Sequence, residues 1–456
     1  MDRTLVKEAI KKIGKEVQLS GWVDSYRDHG KLVFIDLRDR SGIIQVVGSK
    51  KLAEFRNEDI IEIVGKVKKR PSSMVNKNIL TGTVEIEAEK VNIISKAAEL
   101  PFDIGEKKLN LQLPTLLDYR PLSLRHPSQK SIFKIQEKIV QSFRQYLTDN
   151  DFTEIFCPTI TATATEGGAE LFKINYFDYD AYLAQSPQFY KQIGVGVFER
   201  VFTIAHAYRA EPSITTRHIT EYVGLDAEMG FINSWEDIYK LADDLLKFIF
   251  KKLREYDKKL DLPKTVKETP VLKLREALEI IYKRTKKDNR KEPDLSPEDE
   301  REICRWALEE KGSDLVIITH YPTDKRPMYT YPDPKDPKNT LSFDILGKGV
   351  EWITGGQRIN DYKQLLNSIK GRGYNPDNFS FYLQAFKYGM PPEGGFCLGL
   401  ERITQNVLGL SNIREASLFP RDLERVDVPL SKFGKERGKK DDSLLEKIVK
   451  IVDDEE

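Results

Sequence analysis

Cysteine is scarce in this sequence. The 456 residues hold only Cys157, Cys304 and Cys397, far apart and in no C-x-x-C pair. Such spacing argues against a disulfide framework and against a cysteine-based zinc site, and it predicts free thiols in a reducing compartment. Long apolar runs are lacking too: no stretch of about 18 apolar residues occurs, so no transmembrane helix is expected. The opening MDRTLVKEAIKKIGKE has no apolar signal-peptide core, and a cytoplasmic location is the expectation. Net charge is almost absent at +1, but its sign is uneven, since residues 1–95 carry 18 Lys and Arg against 14 Asp and Glu. A mildly basic N-terminal module suits a phosphate backbone as well as an ordinary solvated surface. With 39% hydrophobic residues, a chain of this length can bury large cores in two or three domains.

Taken in order, the runs VQLSGWV, KLVFIDLRD, GIIQVVG, DIIEIVGKV and GTVEIEAEKVNII predict five short strands, enough for a small barrel of the OB type over residues 1–95. Phe34 and Gln45 fall on neighbouring strands, with Arg27 in the connection before them. Phe34 is suited either to barrel core or to stacking a base whose edge Gln45 reads. Residues 96–130, with Pro101, Pro114, Pro121 and Pro127, read as a linker. Ile132, Ile135, Ile139, Phe143 and Leu147 then recur at helical spacing, and the helix runs into a strand-like DFTEIFCPTI that Pro158 ends.

Charged residues interrupt two strand-like runs in YRAEPSITTRHITEYVGLDAEM, Tyr208 to Met229. Arg209 and Glu211 are two apart, as are Asp226 and Glu228, so an antiparallel pair would carry each couple on one face. Arg217 and His218 in the intervening turn are suited to phosphate or to a planar ring. Upstream, Glu166-Gly167-Gly168 reads as a carboxylate on a turn able to close over a ligand. Gln188 and Lys191 share a face of a Pro-initiated helical turn, where they could grip a small carboxylate. Residues 233–330 read as a helical insertion. In LSFDILGKGVEWITGGQRIN, Asp344 and Glu351 sit on either side of a Gly-containing turn as hairpin neighbours, a pair of hard oxygen donors for Mg²⁺, with Thr354 adding a hydroxyl and Arg358 reaching inward. GGFCLGLERITQNVLGL passes from a glycine-rich strand into a helix whose first turn holds Arg402, a place for a phosphate.

The R-x-E with its R-H loop, the Pro-ended segment before it and the late G-x-E-R together resemble the three motifs of class II aminoacyl-tRNA synthetases, in the right order. TEGGAELF, LAQSPQFYKQ, ITGGQRIN and LSNIREASLFPRD are similar to aspartyl-tRNA synthetases of the archaeal and eukaryotic type. The resemblance implies an α+β fold: a five-stranded OB barrel for the anticodon and a catalytic domain over 131–428, an antiparallel sheet flanked by helices. It also implies a homodimer and the ATP-dependent ligation of aspartate to tRNA through an aspartyl adenylate.

Carried over residue by residue, ATP would meet Arg209, Ala210, Glu211, Arg217, His218, Ile219, Glu351, Gly399, Leu400, Glu401 and Arg402, with Arg209 and Arg402 as the catalytic pair. Aspartate would meet Glu166, Gln188, Lys191, Arg209, Asp226, Thr354 and Arg358. Mg²⁺ would lie on Asp344, Glu351 and Thr354, and the anticodon on Arg27, Phe34 and Gln45. Lys191 separates this reading from asparaginyl-tRNA synthetase, which shares the motifs; a relative that binds nucleotide or RNA without aminoacylating is the other alternative. The tRNA is that of aspartate alone, or of aspartate and asparagine. Cys397 stands where the family more often has Gly. From residue 429 a charged tail holds Leu444, Leu445, Ile448, Ile451 and Val452 at helical spacing.

Overall fold

The computed structural model describes residues 2–30, 32–49, 55–106, 108–164, 171–212 and 215–433. Glu166 and the apolar tail residues from 444 onward lie outside them. The chain divides into two compact units, Met1–Gln129 and Lys130–Glu456.

The first unit is a closed barrel of β1 (Glu16–Asp28), β2 (Val33–Asp39), β3 (Gly42–Gly48), β4 (Ile60–Lys69) and β5 (Val84–Ser95), in the order β1-β2-β3-β5-β4. Strict alternation builds it. In β2, Val33, Ile35 and Leu37 are fully buried while Phe34, Asp36 and Arg38 face outward, as a period of two requires. Phe34 is therefore not barrel core. Arg27 lies inside β1, paired with Phe34, and not in a connection before the strands; the strand outruns the apolar pattern because its last residues are paired but exposed. Between residues 96 and 130 the chain forms the short helices Leu113–Asp118 and Arg120–Ser123.

The second unit is built on an eight-stranded sheet. Its strands are β6 (Thr153–Glu154), β7 (Arg200–Tyr208), β8 (Glu221–Gly230), β9 (Val271–Lys273), β10 (Leu315–Thr319), β11 (Ser342–Gly347), β12 (Val350–Arg358) and β13 (Glu393–Gly399). They lie in the order β9-β10-β11-β12-β13-β8-β7-β6, antiparallel except at the two outermost pairs. Alternation again assigns the faces. Leu225, Ala227 and Met229 of β8, with Phe396 and Leu398 of β13, pack on α1 (Pro127–Thr148) and α3 (Glu236–Tyr256). Gly224, Asp226 and Glu228 turn to the opposite face, where the site lies.

Helix α3 forms because Ile238, Ala242, Leu245, Leu246, Ile249 and Leu253 make one apolar stripe, with Glu236 and Asp237 at its positive end and Arg254 at its negative end. The helices α4 (Leu274–Thr285) and α5 (Pro297–Lys311) share a core with β10 and Leu346 of β11. Ser296 caps α5 in a capping box with Asp299, fixing where the helix starts.

One irregularity positions the site. Asp344 pairs with Thr354 and Ile345 with Ile353, but Leu346 pairs with Glu351, so Trp352 is an extra residue on β12. Glu351 and Thr354 are three apart and a regular pleat would put them on opposite faces; the bulge restores both to the face of Asp344.

The helix α6 (Leu400–Leu408) follows β13 directly. Glu401 in its first turn is buried, and its carboxylate accepts the Val223 N–H at 3.1 Å, tying α6 to β8. Burial pushes the Glu401 carboxyl up to about 7, against the pull of the Val223 N–H. A carboxyl raised above its unfolded value gives its full stability below that value, and the stability is lost as pH rises towards 7. Glu401→Gln should therefore be less affected by pH: between pH 4.5 and 7, measured by thermal unfolding, it should gain on the order of 2 kcal/mol relative to the parent chain. A constant difference across that range would show that Glu401 is ionised throughout.

Candidate active site

The site-bearing face of the second unit encloses a cavity of about 510 Å³. Its walls bring together Gln188, Lys191, Arg209, Glu211, Arg217, His218, Ile219, Asp226, Glu351, Thr354, Arg358, Gly399, Glu401 and Arg402. These come from stretches up to about 200 residues apart in sequence. Ala210, Leu400 and Asp344 stand beside these residues in the chain or the sheet and do not line the cavity.

At one end, β7 stops at Tyr208, so Arg209 and Glu211 lie just beyond the ladder and not within it. The Arg209 N–H still donates to the Thr220 carbonyl at 2.8 Å, but Pro212 supplies no N–H to continue. The Arg209 guanidinium stands 3.5 Å from the Glu211 carboxylate and over the Tyr222 ring, 5.6 Å from its centroid. Glu211 also faces His218 at 3.9 Å.

At the other end is a buried ion cluster. Lys191, on α2 (Gln188–Phe198), is 1% exposed. Its ammonium contacts Asp226 Oδ1 at 2.8 Å and Glu228 Oε2 at 3.1 Å. Arg358 Nε donates to Glu228 Oε1 at 2.7 Å and its Nη2 to the Gly395 carbonyl at 3.1 Å. Burial disfavours the charged form of Lys191, but the Asp226 and Glu228 carboxylates more than offset it and hold the ammonium charged. Beyond, the Gln192 amide donates to Glu393 Oε1 at 2.9 Å, and Gln188 and Tyr382 both donate to the Gln192 carbonyl oxygen. Burial, then the charge of Glu228, raises the Glu393 carboxyl well above the ordinary range. A protonated Glu393 leaves the cluster with two cations and two anions. A Cβ at Gly395 would fall on the Glu228 carboxylate, so only glycine lets β13 pass beside these charges.

Between the two ends lies the acid pair. Arg326 Nη2 contacts Asp344 Oδ2 at 2.7 Å, its Nη1 donates to the Thr354 hydroxyl at 3.1 Å, and the guanidinium lies over the Tyr321 ring at 3.9 Å. Asp344 Oδ1 is buried with no hydrogen-bond partner. Glu351 Oε1 is 3.1 Å from Arg402 Nη1, which also donates to the Glu351 carbonyl at 3.0 Å. Burial, then the Asp344 charge, raises the Glu351 carboxyl. An orphaned carboxylate oxygen beside a second acid that repels it is a donor set suited to a hard divalent cation.

Arg217 completes the outer wall: its Nη1 is 2.9 Å from Glu300 Oε2, on α5. Burial, then the Glu351 charge, pushes the Glu300 carboxyl up to about 7, with Arg217 and Arg402 opposing.

Sequence reasoning missed Glu300, which backs Arg217 without lining the cavity, and the wall residues Arg326 and Tyr329. The first lies in a segment whose polar composition gave no site signal. Arg326 and Tyr329 come from YPTDKRPMYT, at the end of the stretch read as a helical insertion. Burial, then the neighbouring Asp226, pushes the Cys397 thiol well up.

On the barrel unit, Arg27 pairs with Phe34 across β1 and β2, and Asp36 with Gln45 across β2 and β3. All four share the outer face. Arg27 meets Asp36 at 3.2 Å, Gln45 donates to Glu85 at 3.0 Å, and Phe34 packs edge-on against His29.

Residues 112–423 match the family described as tRNA synthetases class II (D, K and N), and residues 17–94 the OB-fold nucleic acid binding domain family. The aspartate--tRNA(Asp/Asn) ligase of Thermus thermophilus is 42% identical over 93% of this chain and 99% of its own length. The aspartate--tRNA(Asp) ligase of Pyrococcus abyssi is 39% identical over 91% and 96%. Among solved structures, the asparaginyl-tRNA synthetase of Pyrococcus horikoshii complexed with asparaginyl-adenylate superposes with a TM-score of 0.85 at 32% identity, covering 94% of this chain and all of that one. The aspartyl-tRNA synthetase of Entamoeba histolytica gives 0.81 at 28%, covering 93% of each. With its motif residues gathered on one cavity and these likenesses running nearly end to end, the chain belongs to the class II tRNA synthetases.

Proposed function

We propose that the chain is an aspartate--tRNA ligase that activates L-aspartate with ATP and transfers it to the aspartate tRNA, and that it works in the cytoplasm as a homodimer. The observation that carries the amino acid choice is the Lys191 ammonium, charged and with two of its three donors engaged by Asp226 and Glu228. The third is left for a substrate carboxylate. Arg358 stands on the other side of Glu228 as the second cation. Aspartate's side chain completes this set. Asparagine's amide would turn an N–H₂ towards donors, a mismatch worth about 2–4 kcal/mol in a closed pocket. Asp226 and Gln188 hold the ammonium group, together with Glu166.

Arg209 holds the α-phosphate, Glu211 the adenine side with Ala210 and Ile219, and Arg217 and His218 the outer phosphates. Arg402 clamps the γ-phosphate from the start of α6, where Gly399 and Glu401 line the cavity with Leu400 between them in the chain. A divalent cation such as Mg²⁺ would be held by Asp344 and Glu351 with Thr354 at its edge, and supplies charge neutralisation to the phosphates when bound.

In the first step the aspartate α-carboxylate attacks the α-phosphorus and pyrophosphate leaves. In the second the terminal ribose hydroxyl of tRNA attacks the adenylate carbonyl and AMP leaves. The chain's own part is to fix both reactants in line and to meet the developing phosphate charge with Arg209 and Arg402. On the barrel, Phe34 offers an outward ring for stacking, with Arg27 and Gln45 beside it on the same face. The exposed Phe156, 89% accessible, and Ile160 in the segment after β6 are the apolar surface proposed for the partner subunit.

ATP–pyrophosphate exchange tests the reading. Aspartate should support exchange with kcat/KM at least about 100-fold above asparagine, and Lys191→Leu should abolish it; exchange retained in that variant would refute the assignment of Lys191. Charging purified aspartate and asparagine tRNAs side by side tests the tRNA choice: the aspartate tRNA should be charged, and charging of the asparagine tRNA as well would mark the broader substrate range.

A further inference from the structure

We infer that Glu300, on the inserted helix α5, is a positioning residue for the outer phosphates of ATP: it holds the Arg217 guanidinium at the mouth of the cavity. The inference rests on the nucleotide roles proposed above and adds a residue that no motif contains.

Arg217 sits in the loop between β7 and β8, on a long side chain that would otherwise sample many rotamers and lose that freedom on meeting a phosphate. Two contacts fix it. Nη1 meets Glu300 Oε2 at 2.9 Å, and Nη2 points to the Gly349 carbonyl at 3.5 Å. A guanidinium has five N–H donors in a rigid fork, so this anchoring leaves donors for phosphate oxygens. The Glu300 carboxylate costs something here, because a partly buried acid stands behind the arginine proposed to meet the outer phosphates. Its side chain is 17% exposed and its charge opposes that of Glu351. Holding Arg217 is the contact that offsets this cost.

The anchor itself is fixed. The capping box at Ser296 sets the start of α5 and places Glu300 in the first turn. One residue on, Arg301 packs against Gly349, in the turn that joins β11 to β12. Gly349 has φ +84°, and a Cβ there would come within 2.9 Å of the Arg301 side chain. The turn that carries Glu351 two residues later is thus in register with the helix that carries Glu300. Sequence gave no hint of this, since the partners are 83 residues apart and α5 lies outside the three motifs.

The test is the calorimetric affinity of the full chain for Mg·ATP and for AMP, without amino acid. Glu300→Ala should weaken Mg·ATP about tenfold and leave AMP within about twofold, because only the outer phosphates reach Arg217. Glu300→Gln, which keeps an acceptor, should fall between. In an Arg217→Ala background Glu300→Ala should cause no further loss. Unchanged or tighter Mg·ATP binding, equal weakening of AMP, or the same loss without Arg217 would each overturn the inference. Because no aspartate is present, a failure of the aspartate assignment would appear only in exchange. A parent chain that binds neither nucleotide would overturn the nucleotide site and this inference together.

Discussion

The ion cluster of Lys191, Asp226, Glu228 and Arg358 is the constraint around which the second unit is arranged. Four charges taken out of water are not there to stabilise the fold, since desolvating them costs as much as their attraction returns, and apolar replacements would pack as well. Their proposed value is specificity. The cluster is neutral once Glu393 carries a proton, so in the proposed assignment a zwitterion with an extra carboxylate would meet the Lys191 ammonium and an acidic partner. Glycines at 224 and 395 exist beside it because a side chain there would displace Asp226 or Glu228. Beyond the cluster, Gln188, Gln192, Glu393 and Tyr382 form a polar chain bonded among themselves.

The same face shows a second pattern. Each arginine assigned to phosphate is already held by an acid: Arg209 by Glu211, Arg217 by Glu300 and Arg402 by Glu351. Such pairs are modest in energy where water reaches them. Their effect is to fix long side chains in place while leaving donors for the ligand, so that less entropy is lost on binding. Arg326 plays the corresponding part for Asp344: its stacking on Tyr321 holds it against one carboxylate oxygen, and the other is buried without a hydrogen-bond partner.

Much of this was legible in the sequence, for identifiable reasons. The barrel was readable because its strands alternate strictly, and Lys191, Arg209, Asp226, Glu351 and Arg402 because they sit in short motifs with fixed local spacing. Phe34 was ambiguous, since an aromatic in a strand fits either face until the register is known; Val33 and Ile35 decide it by being buried. The end of β7 was displaced because the charge pattern continues past Tyr208 while the ladder stops before Pro212. The bulge at Trp352 was invisible: Glu351 and Thr354 were grouped as metal donors despite a spacing of three, and only pairing with β11 reveals the extra residue that puts them on one face. Glu300 was missed because tertiary packing, not local sequence, brings a polar helix to Arg217. Glu166 falls outside the described residues.

The central claim is that the buried Lys191 and Arg358 charges select a carboxylate over an amide. The most direct measurement is the affinity of the protein for two non-hydrolysable acyl-adenylate analogues that differ only in bearing aspartate or asparagine, which removes catalysis and tRNA from the comparison. The account predicts at least about 100-fold tighter binding of the aspartyl analogue, reduced to near parity in Lys191→Leu. Equal binding of the two by the parent chain would contradict it.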